Sequence, residues 1–169
     1  MLKISKSLGS SQVKTYYEKE YLAKESYWQQ DDTAPGEWHG KLAAEMGLSG
    51  TIDFEVFARL ADGKHPSNDE QLIRHIDRSG YTKADGTEVK PIEHRAGWDA
   101  TFSAPKSVSL TALVGGDDRV REAHHQAVNV ALSRLEKYTQ ARVGTDKSET
   151  TGKLVAAKFE HQTERPVDG

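Results

Sequence analysis

The sequence predicts a fold that mixes α and β elements. Three observations lead there. Short stretches alternate between apolar and polar residues, as half-buried strands do, at Leu2–Ile4, Trp98–Phe102 and Leu154–His161. Between them, apolar residues recur at helical spacing, most extensively from Val120 to Tyr138. Glycine and aspartate punctuate the joints at Gly47, Gly63, Asp85-Gly86 and Gly115-Gly116.

Taken in order, Leu2 and Ile4 alternate with Lys3 and Ser5, and Gly9-Ser10-Ser11 closes this strand and offers an N-cap. In the helix that follows, Val13, Tyr17 and Tyr21 share one face, and Tyr16 lies about 100° away around the axis. The segment "DDTAPGEW", from Asp31 to Trp38, reads as a loop. A helix is expected from about Glu37 to Met46, closed by Gly47. Another carries Phe54, Phe57, Ala58 and Leu60 and stops at Gly63. Lys64 to Arg95 is polar, with a hairpin turn expected at Asp85-Gly86. In the strand from Trp98 to Phe102, Trp98, Ala100 and Phe102 face one way and Asp99 and Thr101 the other. Ser107 to Val114 suits either a strand or a helix; Ser103 as cap, Pro105 in the first turn and Gly115-Gly116 as stop favour the helix. Asp117 then caps a helix of about 24 residues, whose apolar stripe is Val120, Ala123, Ala127, Val130, Ala131, Leu135 and Tyr138. A polar turn near Gly144 to Thr151 precedes the last strand, Leu154 to His161.

The 169 residues suffice for one domain with a core, and 36% hydrophobic against 29% charged residues is the balance of a globular chain. With no cysteine, disulfides and thiolate metal sites are excluded. No apolar run approaches the roughly 20 residues of a membrane span, and "MLKISKSLGS" lacks the apolar centre of a signal peptide, so no membrane insertion and a cytoplasmic location are expected. The net charge of −3 does not announce a nucleic-acid partner. Between Tyr81 and Lys106 the bases Lys83, Lys90, Arg95 and Lys106 are matched by Asp85, Glu88, Glu93 and Asp99.

Candidates for chemistry begin with the phenols. Tyr16, Tyr17, Tyr21 and Tyr27, with Trp28, crowd into "VKTYYEKEYLAKESYWQ", and they serve either as aromatic core or as nucleophiles. Asp99 is a carboxylate within an aromatic strand, and His161 ends another strand. His124 and His125 are adjacent on a helix and point about 100° apart, which makes them poor joint ligands for one ion. Trp28, Trp38 and Trp98 read as packing residues, with base stacking open to any that is exposed.

The stretch "GWDATFSAPKSVSLTALVGGDDRVREAHHQAV" resembles the motif region of TrwC/TraI-type conjugative relaxases, the MobF group of the HUH endonucleases. So, in the same order, do "TYYEKEYLAKESYWQQ", "GEWHGKLAAEMGLSGTIDFEVFARLADG" and "TTGKLVAAKFEHQTER", which together cover nearly the whole chain.

That resemblance implies an α+β fold with a central antiparallel sheet and helices packed on it. It implies a metal-dependent DNA relaxase that nicks one strand of plasmid DNA at its transfer origin through a 5′-phosphotyrosyl intermediate, then rejoins strands. Tyr16 matches the attacking tyrosine, with Tyr17 as a helper; Tyr27 falls in the second tyrosine pair, whose other member here is Trp28. Asp99 matches the carboxylate that orients a metal-binding histidine or accepts the tyrosine proton, and His161 matches the first of three metal-binding histidines. The other two lie in an H-x-H motif beyond residue 169, so residues 1–169 are expected to be the N-terminal part of a relaxase domain, inactive alone. The implied cofactor is a divalent ion (Mg, Mn or Zn). The implied partners are single-stranded plasmid DNA with a hairpin at the transfer origin, and relaxosome and secretion-channel proteins. Two rivals are a non-catalytic module that binds single-stranded DNA or relaxosome proteins, and a rolling-circle replication initiator.

Overall fold

The computed structural model describes residues 1–18, 36–68, 70–73, 79–89, 93–143 and 147–160. They form α-helices and short antiparallel strand pairs, an α+β fold. Two compact units are distinguished: Met1–Leu2, Asp32–Ile52 and Thr101–Gly169 in one, Lys3–Asp31 and Asp53–Ala100 in the other. Strand β1 (Leu2–Ile4) has the expected bounds, but Leu2 and Ile4 are 45% and 50% exposed rather than half-buried against a core.

In the second unit, β2 (Leu8–Gly9) pairs antiparallel with β6 (Arg95–Gly97), Leu8 opposite Gly97 and Gly9 opposite Arg95 across an irregularity. Helix α1 (Ser10–Tyr17) starts directly from β2. Gly9 is its extended N-cap, and the Gly9 N–H donates to Gln12 Oε1 at 3.1 Å, satisfying one donor the helix leaves open. Helix α3 (Phe54–Ala61) begins at Asp53, whose Oδ1 accepts from the Val56 N–H at 3.0 Å. The chain turns out of α3 at Gly63, φ 71°, as its glycine signal predicts. Strands β4 (Tyr81–Thr82) and β5 (Glu88–Val89) form the expected hairpin, with Gly86 at φ 83° and Asp85 Oδ1 accepting from the Thr87 N–H at 2.9 Å. The polar stretch from Lys64 to Arg95 is not all surface. His94 is 8% exposed, and its Nε2 lies 2.8 Å from the Ala61 carbonyl at the end of α3.

Helix α1 lies on α3 through one face. Tyr17 stacks on Phe54 and Phe57, with ring centroids 5.4 and 4.7 Å apart. Seven and three residues earlier, Ser10 and Lys14 both donate to Asp62 Oδ1, Lys14 Nζ from 2.8 Å. Burial works to raise the Asp62 pKa, but the bonds from Lys14 and Ser10 and the charges of Lys14 and Lys64 outweigh it, and the carboxyl sits below its ordinary 3.8. A depressed carboxylate pKa adds stability above the unfolded value and loses it as pH falls through the folded value. The wild type is therefore expected to lose more thermal stability than Asp62→Asn when pH drops from 5 to 3. The difference is small because the pair is partly solvent-screened, and equal losses in the two proteins would refute it.

In the first unit, β3 (Glu37–His39) runs antiparallel to β10 (Ala156–Lys158), with Trp38 opposite Ala157. The expected helix from Glu37 is thus replaced over its first three residues by a strand, and α2 covers only Lys41–Glu45. The pairing with a segment more than a hundred residues away overrides the helical pattern. Gly40, at φ 110°, makes the corner, where a Cβ would sit 2.1 Å from the Leu154 carbonyl oxygen. The "TFSAPKS" region resolves as β7 (Ala100–Phe102), then α4 (Lys106–Ser109) continuing into a π-helical turn (Leu110–Val114). The N-cap is Pro105 rather than Ser103. Gly116, at φ 65°, ends the segment as expected. The polar turn expected at Gly144–Thr151 is in part a strand: β8 (Gln140–Val143) pairs with β9 (Lys147–Thr150).

Helix α5 (Asp118–Glu136) starts where predicted, with Asp117 Oδ1 accepting from the Arg119 N–H at 3.1 Å. Its packed face differs from the expected apolar stripe. Val130 and Tyr138 are 62% and 76% exposed, while Leu132 and Glu136 are 6% and 5% exposed. Arg121, His125, Asn129, Leu132 and Glu136 share an arc of about 80°. Four of these five are polar, and each finds a partner. Arg121 and His125 bond Glu160, and Asn129 Oδ1 accepts from Lys158 Nζ at 2.9 Å. Glu136 Oε1 accepts from the Lys41 N–H at 2.6 Å and the Leu154 N–H at 3.1 Å. Partnered polar groups can line a packed face, so apolarity alone misplaced it.

Candidate active site

Tyr16 and Tyr17 both end α1, but the structure divides their roles. Tyr17 is 7% exposed and held between Phe54 and Phe57. Tyr16, a third of a turn away, is half-buried. Where the phenol's place is already taken by packing, as at Tyr17, the hydroxyl has little room to approach an external phosphate.

Asp99 does not sit within a continuous strand. β6 ends at Gly97 and β7 begins at Ala100, so Trp98 and Asp99 form a two-residue break in which the ladder lapses. Here Trp98 is 62% exposed, which corrects its expected place on the packed face with Ala100 and Phe102. Ser5 replaces the missing ladder bonds: its N–H donates to the Asp99 carbonyl at 2.9 Å, and its Oγ accepts from the Asp99 N–H at 2.9 Å while donating to the Lys6 carbonyl at 2.7 Å. The Asp99 backbone is thus fixed on both sides and its half-buried carboxylate is carried on a rigid corner.

Tyr16 and Asp99 belong to the same unit: α1 packs against β6, the strand that ends two residues before Asp99, and Ser11 Oγ at the start of α1 donates to the Glu93 carboxylate at 2.9 and 3.1 Å. Ser5, Ser11, Glu93 and Asp62, which hold these elements, were not singled out in the sequence. Ser5 and Ser11 are small polar residues beside a strand end and a helix start, Asp62 follows the last residue of α3, and none of these positions signals its partner.

Tyr27 and His161 lie outside the described residues, as do Trp28 and Tyr21. The neighbour of His161 in sequence is described: Glu160 is tied to α5 by Arg121 Nε at 3.0 Å and by His125 Nε2 at 3.0 Å. Burial pushes its carboxyl up, but those two bonds and charges prevail, and it sits below its usual value. Among the described residues no group of three or more His, Cys, Asp or Glu side chains is arranged to hold a metal ion. A concavity of about 550 Å³ in the first unit, lined by Pro105, Val108, Val120, Ala123 and His124 among others, contains neither Tyr16 nor Asp99. Among the described residues no helix is long and apolar enough to cross a membrane.

The fold is an α+β assembly that carries a half-buried tyrosine at the end of a short helix and a pinned carboxylate at a strand break. The sequence model of the TrwC relaxase family matches residues 10–169, and the chain belongs to that family. It is 44% identical over 134 residues to the multifunctional conjugation protein TraI of Escherichia coli, a match covering 78% of this chain and 7% of the relative. The TraI of strain K12 is likewise 44% identical over 131 residues, again 7% of its length. Among solved structures, the conjugative relaxase TrwC in complex with oriT DNA in a metal-bound form aligns with a TM-score of 0.66 and 36% identity, covering 97% of this chain and 52% of that one. TrwC complexed with a 27-mer DNA comprising the recognition hairpin and the cleavage site aligns at 0.67 and 34%, over 98% and 50%. The chain thus spans about half of the TrwC chains and a small fraction of the TraI proteins.

Proposed function

We propose that the protein carrying this chain is a conjugative relaxase that nicks one strand of plasmid DNA at its transfer origin, and that residues 1–169 form the N-terminal part of its relaxase domain. The observation that carries this reading is the division of the tyrosine pair, with Tyr17 consumed by the core and Tyr16 left beside it on a helix fixed in place. Solved TrwC complexes with oriT DNA, aligned over nearly all of this chain, support it.

The step is a transesterification. Tyr16 Oη forms a bond to the scissile phosphorus, the bond to the 3′ oxygen breaks, and the leaving strand ends in a 3′-OH. The phenol has a pKa near 10 and is a weak nucleophile at neutral pH, so its proton needs an acceptor. Asp99 either takes that proton or orients His161. The phosphotyrosyl bond conserves the energy of the phosphodiester, so a free 3′-OH reverses the step and rejoins a strand. Tyr27 is the candidate for the second transfer. His161 is proposed as one ligand of a divalent ion; the described residues supply no ready-made metal cluster, and the steps above rest on Tyr16 and Asp99 alone. Relaxosome and secretion-channel proteins as partners and action in the cytoplasm belong to the same reading.

The test incubates the intact protein with a labelled origin oligonucleotide and Mg²⁺ or Mn²⁺, and resolves the products under denaturing conditions. The fragment on the 3′ side of the nick is expected to carry the protein on its 5′ phosphate, and the fragment on the 5′ side to be released with a free 3′-OH. Cleavage that leaves no covalent adduct would defeat the proposal.

A further inference from the structure

A single exposed aromatic ring is ordinary on a protein surface. Trp98 is unusual in how it is held. The residue is 62% exposed, yet its backbone lies between two fixed points: Gly97, paired with Leu8, and Asp99, bonded at both N–H and carbonyl to Ser5. The neighbouring position is open as well, since a Cβ on Gly97 would meet no atom within 4 Å. Exposed cations flank the corner in sequence at Lys6, beside Ser5, and at Arg95. A large flat π-face on a rigid backbone, with cations nearby and a candidate reactive carboxylate as its next residue, is what a single strand needs for one base to stack while its backbone is held.

We propose that Trp98 is a base-stacking residue, which seats one base of the single strand on the corner that carries Asp99. This rests on the relaxase reading above and adds to it a DNA-contacting residue. The ring's role is binding, so its loss acts on affinity for single strands. Its exposure means that substitution leaves folding intact.

The experiment measures fluorescence anisotropy of a labelled 20-nucleotide oligothymidylate with the intact wild type, Trp98→Ala and Trp98→Phe, and the thermal midpoint of each. Stacking is tolerant of sequence, so this probe suffices. Trp98→Ala is expected to bind about tenfold more weakly with an unchanged midpoint. Trp98→Phe, which keeps a π-face, is expected to recover most of that loss. Equal affinity in wild type and Trp98→Ala, or an equal loss in both variants, overturns the stacking role. A wild type that binds no single strand overturns this inference together with the relaxase reading, so the two failures are told apart.

Discussion

Replacing Tyr16 with Phe is expected to abolish the covalent DNA adduct, while Tyr17→Phe keeps it at near wild-type level. The two substitutions remove the same atom from adjacent residues, so the contrast isolates position from chemistry. Tyr17 contributes its ring, which stacks on Phe54 and Phe57, and a phenylalanine preserves that stack. Tyr17→Ala should behave differently. Removing a large aromatic from a packed site costs about 3–5 kcal/mol, and with it goes the aromatic contact that holds α1 on α3. The variant is expected to unfold at markedly lower denaturant, and any loss of adduct would follow from that. Retention of the adduct in Tyr16→Phe would move the nucleophile to Tyr17 or Tyr27, and adduct formation by each single variant would mean that the phenols substitute for one another.

Glu136→Ala is expected to be the most disruptive change in the first unit. Glu136 is 5% exposed, and one of its carboxylate oxygens accepts two backbone N–H groups from segments far apart in sequence, Lys41 at the start of α2 and Leu154 just before β10. Truncation leaves both donors without their acceptor in a buried place, at about 1–3 kcal/mol for each. It also opens the joint where Gly40 lets the chain pass the Leu154 carbonyl. Glu136→Gln retains an oxygen acceptor and loses the charge, so its cost is expected to be smaller. Hydrogen exchange reads this locally: the Lys41 and Leu154 amides should lose protection in Glu136→Ala first and most. Protection there equal to wild type would show that the carboxylate is not what holds β10 in place.

Both predictions concern features that were only half legible. The tyrosine pair was visible, and so was the helix that carries it, because Gly9, the small polar residues after it and the spacing of Val13 and Tyr17 act within a few residues. Helical spacing already set Tyr16 off the face of Val13 and Tyr17, but that Tyr17 stacks on Phe54 and Phe57, 37 and 40 residues further along the chain, was not legible. Asp99 was visible as a carboxylate among aromatics, but the strand break around it and its tether to Ser5 were not, since a ladder's end depends on the partner strand. On α5 the start was legible from Asp117, and the packed face was not. The expected stripe was purely apolar, whereas the polar Arg121, His125, Asn129 and Glu136 all bond across to the chain around β10.

By itself the sequence determined the family, through motif blocks in order along the chain, and the local punctuation: the caps at Asp53 and Asp117 and the turns at Gly63, Gly86 and Gly116. These are decided within one or two turns of backbone, where sterics and a nearby side-chain oxygen suffice. Only the tertiary structure decided that Trp38 lies in a strand, that Glu136 is buried, that Trp98 is exposed and that Phe54 and Phe57 are the rings that receive Tyr17. Each of those outcomes depends on a hydrogen-bond or packing partner distant in sequence, and whether a polar group can be buried or an aromatic left in water is settled only when that partner is in place.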